Sequence, residues 1–303
     1  MKNLAGTSGS TTRRRFLQQM AAAMALPLAA GRSTAAAPGR GKGNLVFVVG
    51  THHYHPEQSM PPLAKELERL GFHTQLILPP GDPEENHNGA GLPGLEALDH
   101  ADAAVFFLRF LTLNDEQLGH LERYLKSGKP LVGLRTSTHA FRYPASHRRA
   151  AWNDDFGRNV LGTHWLTHMR SVTECRRLEQ AKNHPILTGI DEKPFQSPGQ
   201  LYITDLQPGC VPLVVGSGEM PREQILSHRF GTRIVARTET DILAWTWQNH
   251  YGARVFATTL GHPRDFAVPQ IMRIVVNGIH WAAGAEVPSA STEVKTFDLP
   301  LNP

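Results

Sequence analysis

Residues 45–50 read Leu-Val-Phe-Val-Val-Gly, a continuous apolar run that ends at a glycine. Such a run is typical of a β-strand that is buried on both faces, as in a parallel sheet covered by helices. A polar loop over residues 51–59 follows, and residues 60–70 then carry apolar side chains at helical spacing until Gly71. Residues 72–78 are the next predicted strand, so the chain opens with a strand–helix–strand unit.

The same unit then repeats. Residues 103–108 are an apolar run, and Asn114 opens a segment whose leucines line one helical face until Gly128. Residues 130–134 are another predicted strand. Alternation of this kind predicts an α/β fold, a doubly wound and mostly parallel sheet with helices on both faces. Ligands bind beyond the carboxyl ends of such strands, which directs attention to the loops at Thr51, Arg109 and Arg135.

The second half is less regular. Pro269 opens a final helix that ends near Gly284, and the turn Tyr251-Gly252 predicts a hairpin. We therefore predict a single domain over residues 44–284 and a loosely ordered C-terminal tail, 285–303. Four strands are predicted within this half, over residues 211–215, 233–237, 242–247 and 254–259.

The N-terminus has the pattern of an export signal. Arg13-Arg14-Arg15 precedes Phe16-Leu17, an apolar stretch and small residues up to Ala37. This order matches a secretory signal peptide over residues 1–37, and the paired arginines match the twin-arginine type. A flexible leader, 38–43, follows. We therefore expect a periplasmic protein, with an ordinary secretory signal as the alternative.

The charge balance argues against nucleic acid as a partner. The chain of 303 residues has a formal net charge of +4, but residues 1–37 hold five basic and no acidic side chains. The remainder has 26 basic and 27 acidic groups, so the processed form lacks the basic excess that drives DNA binding. The apolar stretch of the signal is too short to span a bilayer, and no later one is longer, so no membrane partner is expected in the mature form.

Seven stretches of the sequence form a recognisable series. They are Gly50-Thr-His-His-Tyr-His55, Gly133-Leu-Arg-Thr-Ser-Thr-His139, Phe156-Gly-Arg-Asn-Val-Leu-Gly-Thr-His164, His184-Pro-Ile-Leu-Thr-Gly189, Gln200-Leu-Tyr202, Tyr251 to His262, and Asn277-Gly-Ile-His-Trp-Ala282. Together, and in this order over nearly the whole mature chain, they resemble the ThuA-like (trehalose-utilisation) family of the class I glutamine amidotransferase-like superfamily.

The resemblance implies a flavodoxin-like sheet and a link to disaccharide and keto-sugar metabolism. Class I glutaminases carry Gly-x-Cys-x-Gly where this chain reads Gly133-Leu-Arg-Thr-Ser, so thiol amide transfer is excluded. Ser137 lacks the glycines of a nucleophile elbow, which argues against a serine hydrolase. Arg135 stands where many relatives have His, so it holds a sugar hydroxyl or a carboxylate, or neutralises a buried acid.

Histidines are the remaining candidates for chemistry, because imidazole binds metals and transfers protons near neutral pH. We predict a catalytic set of four, with His52, Arg135 and Tyr202 contacting the substrate. Three of the four also form a predicted site for a divalent metal such as zinc: His53, His164 and His262. Each has a structural alternative, in which it only shapes its loop or caps a turn. The predicted catalytic set is His53, His139, His164 and His262.

Other aromatic, cysteine and histidine residues are expected to have structural rather than catalytic roles. The aromatic residues of 245–256 are expected in the core first and as a sugar platform second. Cys175 and Cys210 either pair in an oxidising compartment or remain two buried thiols. Six further histidines are expected on the solvated surface: His87, His100, His120, His147, His228 and His250.

The sequence therefore favours a carbohydrate-active lyase, isomerase or hydrolase without a cysteine nucleophile. It acts on a small keto-sugar or disaccharide derivative through a metal or a histidine acid/base. Two alternatives stay open, a non-catalytic sugar-binding protein and a metal-assisted hydrolase of a non-sugar substrate. A homo-oligomer also stays open.

Overall fold

The computed structural model of the chain describes residues 41–81 and 91–300. The predicted signal peptide, the first part of the leader and His87 lie outside the described residues. Within the described part, no helix is long and apolar enough to cross a membrane.

A nine-stranded sheet forms the centre of the molecule, in the order β2-β1-β3-β4-β13-β12-β9-β6-β7. The first five strands in this order run parallel to one another. They are the continuous apolar runs of the sequence, and their side chains are almost all buried except in the edge strand β2. Their bounds are β1 Asn44–Gly50, β2 His73–Ile77, β3 Ala103–Leu108, β4 Leu131–Leu134 and β13 Arg254–Thr258. This half confirms the flavodoxin-like, doubly wound prediction.

The irregular second half extends the same sheet with antiparallel strands. Two of them are longer than predicted, and several short ones have no apolar run that would predict them, because exposed and buried residues alternate in them. The extension contains β6 Thr173–Arg177, β7 Phe195–Ser197, β9 Val211–Glu219 and β12 Thr238–Gln248. Two small antiparallel pairs lie apart, β5 Thr167–His168 with β8 Tyr202–Ile203, and β10 Gln224–His228 with β11 Gly231–Val235.

Helices cover both faces of the sheet. On one face lie α1 (Pro56–Arg69) and α4 (Pro269–Ala282), and on the other lies α2 (Asp115–Lys126). A short α3 (Trp152–Asp155) continues as a π-helical turn over Phe156–Leu161 on the second face. Helix α1 begins at Pro56, inside the loop predicted for residues 51–59. Proline at the first helical position has the φ that a helix needs, and Glu57 in the first turn complements the helix dipole.

The C-terminal segment is packed against the domain, so the prediction of a loosely ordered tail is wrong for residues 285–300. The Phe297 ring stacks on Phe266 with 5.2 Å between centroids. Arg69 donates a hydrogen bond to the carbonyl of Glu293 at 2.7 Å. The apolar side chains of this polar segment are too few to predict burial from the sequence. In the structure, Val294 and Phe297 pack against the core.

One glycine marks the contact between α4 and the sheet and gives a test of the packing. A Cβ on Gly278 would overlap the ring of Phe256 on β13. We expect Gly278→Ala to lower the free energy of unfolding by about 1–3 kcal/mol, the usual cost of overpacking a core. Urea unfolding of the purified protein measures this change.

Gly119 in α2 is the matched control. A Cβ there would meet only Arg123 Nη1 at 3.5 Å, an ordinary contact. Alanine is a better helix former than glycine, so Gly119→Ala is expected to raise stability by about 0.5–1 kcal/mol. If both variants shift stability in the same direction, the account of the α4–sheet contact is wrong.

Candidate functional site

The carboxyl ends of β1, β3, β4 and β13 lie along one edge of the sheet. The hairpin predicted at Tyr251-Gly252 is observed, and β13 pairs antiparallel with β12. On its other side β13 pairs in parallel with β4, so the loop that follows β13 and carries His262 lies at this same edge. Four loops therefore meet here, over residues 51–55, 109–110, 135–139 and 259–262.

Backbone strain is concentrated in three of these loops. Four non-glycine residues among those described have positive φ: Tyr54 at 71°, His55 at 50°, Phe110 at 50° and Arg135 at 41°. Such conformations cost free energy and recur at functional sites. Their clustering at one sheet edge makes that edge the candidate site.

Arg135 is the buried centre of this edge. It sits at the turn where the resemblance to class I glutaminases would place their cysteine, and its side chain is 1% exposed. Its Nη1 donates a hydrogen bond to the carbonyl of Thr259 at 3.0 Å. Its Nε and Nη2 are buried and have no hydrogen-bond partner among the described residues. A Cβ at position 199 would lie 3.0 Å from Nη1, so only glycine leaves this approach open.

Two tyrosines pack on the Arg135 guanidinium. Its Cζ lies 4.1 Å from the ring centroid of Tyr54 and 4.8 Å from that of Tyr202. Burial raises the pKa of Tyr202. Burial also acts to raise the pKa of Tyr54, but the charge and hydrogen bonding of Arg135, the hydrogen bonding of Tyr202 and the charge of Arg109 together outweigh it, so the pKa of Tyr54 lies below its usual value. The two phenols thus have different acidities although they share one cation.

A cavity of about 270 Å³ opens on the His139 side of this cluster, where the ring of His139 lies 5.9 Å from that of Tyr202; Arg135 and the two tyrosines do not line it. Two of the predicted histidines, His139 and His164, line it together. The Nδ1 of His164 and the Nε1 of Trp165 are buried without a hydrogen-bond partner among the described residues. Unpaired polar atoms are costly in a protein interior unless a ligand or water satisfies them. The lining includes Phe110, His139, Arg142, Asp154, His164 and Trp165.

His139 is surrounded by aromatic rings and positive charge. Its ring centroid lies 4.9 Å from that of Trp165 and 5.0 Å from that of Phe110. Thr138 Oγ1 is 3.2 Å from its Nδ1. Burial, reinforced by nearby arginines, holds the pKa of His139 well below its usual range near 6.5. The imidazole is therefore neutral at pH 7 and able to accept a proton.

His164 pairs with a histidine that was expected on the surface. Its Nε2 lies 3.3 Å from the Nδ1 of His228, which comes from the end of β10. Burial, together with His228, lowers the pKa of His164. His228 is half-buried rather than fully solvated, because the β10–β11 hairpin brings its ring against those of His164 and Phe230. Of the other five histidines expected on the surface, His100, His147 and His250 are exposed, and His120 is half-buried beside Asp99.

His262 lies near Arg135 but away from the cavity lining. Its Nδ1 accepts a hydrogen bond from the backbone N–H of Arg264 at 3.3 Å, which caps the short 3₁₀ helix Pro263–Ala267. Burial and the charge of Arg135 lower the pKa of His262 to about 4. Asp265 accepts hydrogen bonds from the backbone of Gly261 and His262 and from the Ser197 hydroxyl, which fixes this loop.

The remaining predicted residues come from the β1 loop. The ring of His53 lies 4.2 Å from that of Tyr54, which in turn lies 5.7 Å from that of His262. His52 is buried with its Nδ1 3.4 Å from Glu57. The predicted metal set is thus divided between the cavity and the Tyr54–Arg135 side. Among the described residues, no group of three or more His, Cys, Asp or Glu side chains is arranged to hold a metal ion.

Three other sequence interpretations have clear structural outcomes. Cys175 and Cys210 are both free thiols, which is the unpaired alternative. Ser137 donates to the carbonyl of Phe106 and accepts from Leu108 N, so it joins β3 to the turn after β4. Trp245 is fully buried and donates to the carbonyl of Leu161, in agreement with a core role.

Residues 45–282 of this chain match the sequence model of the ThuA family, which is described as trehalose utilisation. The chain belongs to the ThuA family. This confirms the family expected from the motifs, and with it a carbohydrate-related family description. No significant relative is found among curated proteins.

Two solved structures of ThuA-like proteins share the fold. The one from Parabacteroides merdae is 14% identical, with a TM-score of 0.53, over 82% of this chain and 96% of that one. The one from Bacteroides uniformis is also 14% identical, with a TM-score of 0.53, over 82% and 94%. The glutaminase domain of Trypanosoma brucei CTPS is matched at 8% identity and a TM-score of 0.41, over 81% and 96%.

Several lining residues of this ThuA-family site were not found by sequence reasoning. Trp165 adjoins the motif residue His164, and this adjacency is the one signal that points to it. Phe110 follows the end of β3, which the sequence located correctly, and Arg142 follows the 3₁₀ helix Arg135–His139, but neither has a spacing that marks a site. His228 does not line the cavity; a hairpin carries it to His164, so its position depends on tertiary structure alone.

Proposed function

We propose that this ThuA-family chain is an exported enzyme that acts on a keto-sugar or disaccharide derivative by histidine acid/base chemistry. The family description makes a carbohydrate-related role the coarse expectation. One observation carries the finer proposal. Two imidazoles with lowered pKa values, His139 and His164, line the same cavity beside an aromatic wall.

The cavity has the chemistry that a sugar ring requires. Phe110 and Trp165 supply apolar faces, and Trp165 Nε1 and His164 Nδ1 supply unpaired polar atoms. Binding sites for small molecules combine largely apolar walls with a few polar groups that fix orientation. A sugar presents apolar C–H faces and hydroxyl edges, so it matches both kinds of wall. His139 stands between the two rings, where a bound sugar would contact it.

The proposed chemistry begins with proton abstraction. A keto group acidifies the C–H bond next to it, so a modest base is sufficient to begin isomerisation or elimination. His139 is neutral at pH 7 and has the lone pair for this step. The His164–His228 pair lies on another side of the cavity and supplies a second group that can give or accept a proton. Two proton-transfer groups in one cavity are what isomerisation or elimination needs.

The alternatives are less well supported. A purely sugar-binding protein would not need histidines with perturbed pKa values in its cavity, and such groups are typical of catalytic sites. A metal-assisted hydrolase needs three or four ligands around one point. The described residues do not provide that arrangement, so the proposed steps use the histidines alone. Export through the twin-arginine route is proposed from the sequence of residues 12–17.

Removal of the aromatic wall tests the proposed site. We expect Trp165→Ala to weaken trehalose binding by about 30-fold or more, since loss of a buried aromatic anchor costs at least about 2 kcal/mol. Isothermal titration calorimetry measures the affinity. Trp281→Ala is the matched control, because Trp281 is equally half-buried but packs on Arg254 at the amino edge of the sheet. Equal affinities of the two variants would reject the cavity as the sugar site.

A further inference from the structure

Three arginines surround the candidate site, and they are called here the arginine cluster: Arg109, Arg135 and Arg142. All three lie close enough to His139 to oppose its protonation. Two of them, Arg135 and Arg142, form no ion pair with any described residue. The proposed acid/base chemistry uses none of the three. A concentration of positive charge at the carboxyl edge therefore needs a separate explanation.

Arg135 gives the strongest reason to expect an anion. A buried guanidinium without a paired anion is costly, because its charge has lost its hydration. The charge of the Asp265 carboxylate acts on it, but Asp265 forms no ion pair with it and is already engaged by Ser197, Gly261 and His262. The two tyrosine rings pack on the guanidinium, and its Nε and Nη2 remain without acceptors. The fold thus maintains a charge and two donors that the described residues do not neutralise.

The other two arginines bring this charge to the cavity. The Cζ of Arg142 lies 3.4 Å from the ring centroid of Phe110, and that of Arg109 lies 4.3 Å from the same centroid. Phe110 and Arg142 both line the cavity, so positive charge lies beside its aromatic wall. Among the described residues that line the cavity, the one carboxylate is that of Asp154, which lies 3.9 Å from Arg229. The cavity is therefore positive on its Phe110 side.

We infer that the arginine cluster binds the carboxylate of an acidic sugar whose ring lies in the cavity. This inference rests on the proposed function, because it takes the cavity to hold a carbohydrate. Guanidinium groups are well suited to carboxylates, since their N–H donors match the two oxygens of the anion. The aromatic wall selects the sugar ring, and the cluster selects the sugars that carry a negative charge.

The test compares glucuronate with glucose, which have the same ring but differ in charge. Calorimetric titration of the full processed protein is expected to show at least about tenfold tighter binding of glucuronate at low salt. Salt is expected to reduce this preference, because it screens the partly exposed part of the cluster. The affinity for glucose is expected to stay constant over the same salt range.

Two variants locate the effect. Arg135→Met keeps the side-chain volume and removes the charge, and it is expected to lower glucuronate affinity at least about tenfold more than it lowers glucose affinity. Arg142 is exposed, so Arg142→Gln is expected to fold normally. Because it removes an exposed charge, it is expected to lower glucuronate affinity by about threefold. Arg254→Met is the matched control, because Arg254 packs on Trp281 at the amino edge. Thermal melts confirm that each variant is folded.

The outcomes separate this inference from the proposed function. Equal binding of glucose and glucuronate by the wild type, or an unchanged preference in both cluster variants, overturns the anion site and leaves the carbohydrate function standing. Binding of acetate that needs Arg135, without binding of either sugar, supports the anion site and rejects the carbohydrate function. If Arg135→Met does not fold, Arg142→Gln and the salt dependence decide. Absence of binding by glucuronate and acetate alike rejects the inference.

Discussion

Replacement of His139 by Gln is expected to slow proton exchange beside the carbonyl of a keto derivative of trehalose by about 10²–10⁴-fold, the usual contribution of a general base. Gln retains a polar group of similar size in the buried position but cannot accept a proton at neutral pH. Deuterium incorporation in D₂O, followed by NMR, measures the step directly and does not require knowledge of the final product.

His147→Gln is the control for this experiment. The His147 ring is exposed and stacks on Tyr143 with 4.9 Å between centroids, outside the cavity lining. Its exchange rate is expected to equal that of the wild type. If His139→Gln stays within about threefold of the control, His139 makes no contribution of the size expected of a general base.

The pH dependence of the same exchange rate has a defined direction. His139 acts as a base in its neutral form, and burial lowers its pKa well below 6.5. The rate should therefore stay level as pH falls from 8 through 6.5, and it should decline only at more acidic pH.

The stability of the folded protein over the same pH range must be measured separately, by circular dichroism. Burial also lowers the pKa values of His184 and His280 to about 4, so the folded state loses stability as pH falls below 6.5.

Conversion of Arg13 and Arg14 to Lys is expected to leave the precursor in the cytoplasm. The twin-arginine pair is recognised by a receptor, so lysine does not replace it although the charge is kept. Immunoblots of cytoplasmic and periplasmic fractions measure the distribution. Arg32→Lys, in the same signal but outside the pair, should be exported normally. Export of the double variant at the rate of the wild type would contradict the twin-arginine interpretation.

The parallel half of the fold was predictable because burial on both faces leaves a continuous apolar run. Residues 45–49 and 103–108 are such runs, and both are strands of the central sheet. The antiparallel half has no comparable signal. In β6 the burial alternates with solvent exposure, and its pairing with β9 is set by tertiary contacts over a long stretch of chain.

The candidate site was predictable to the level of loops. Strand ends after Gly50, Leu108 and Leu134 located the edge where Tyr54, Phe110 and Arg135 have strained backbones. The other residues of the site were not predictable in this way. Trp165 belongs to no periodic pattern, and His228, which contacts the lining residue His164, is brought in from a hairpin 64 residues further on.

The division of the four predicted histidines also follows from structure alone. The sequence placed His53, His139 and His262 in loops that follow strands at this edge, and it placed His164 by the family resemblance alone. Side-chain direction then separates them. His139 and His164 line the cavity, whereas the Nδ1 of His262 accepts a hydrogen bond from the backbone N–H of Arg264 in the 3₁₀ helix that His262 caps. Direction within a loop depends on local φ and ψ, which residue type and spacing do not specify.

We propose that the cavity between Phe110 and Trp165 is a sugar-binding catalytic site. A crystal structure of the processed protein with bound trehalose would locate the sugar. Electron density for a glucose ring is expected against Trp165, with a sugar atom within hydrogen-bond distance of His139. Ordered trehalose at another surface, with the cavity filled only by water, would contradict it.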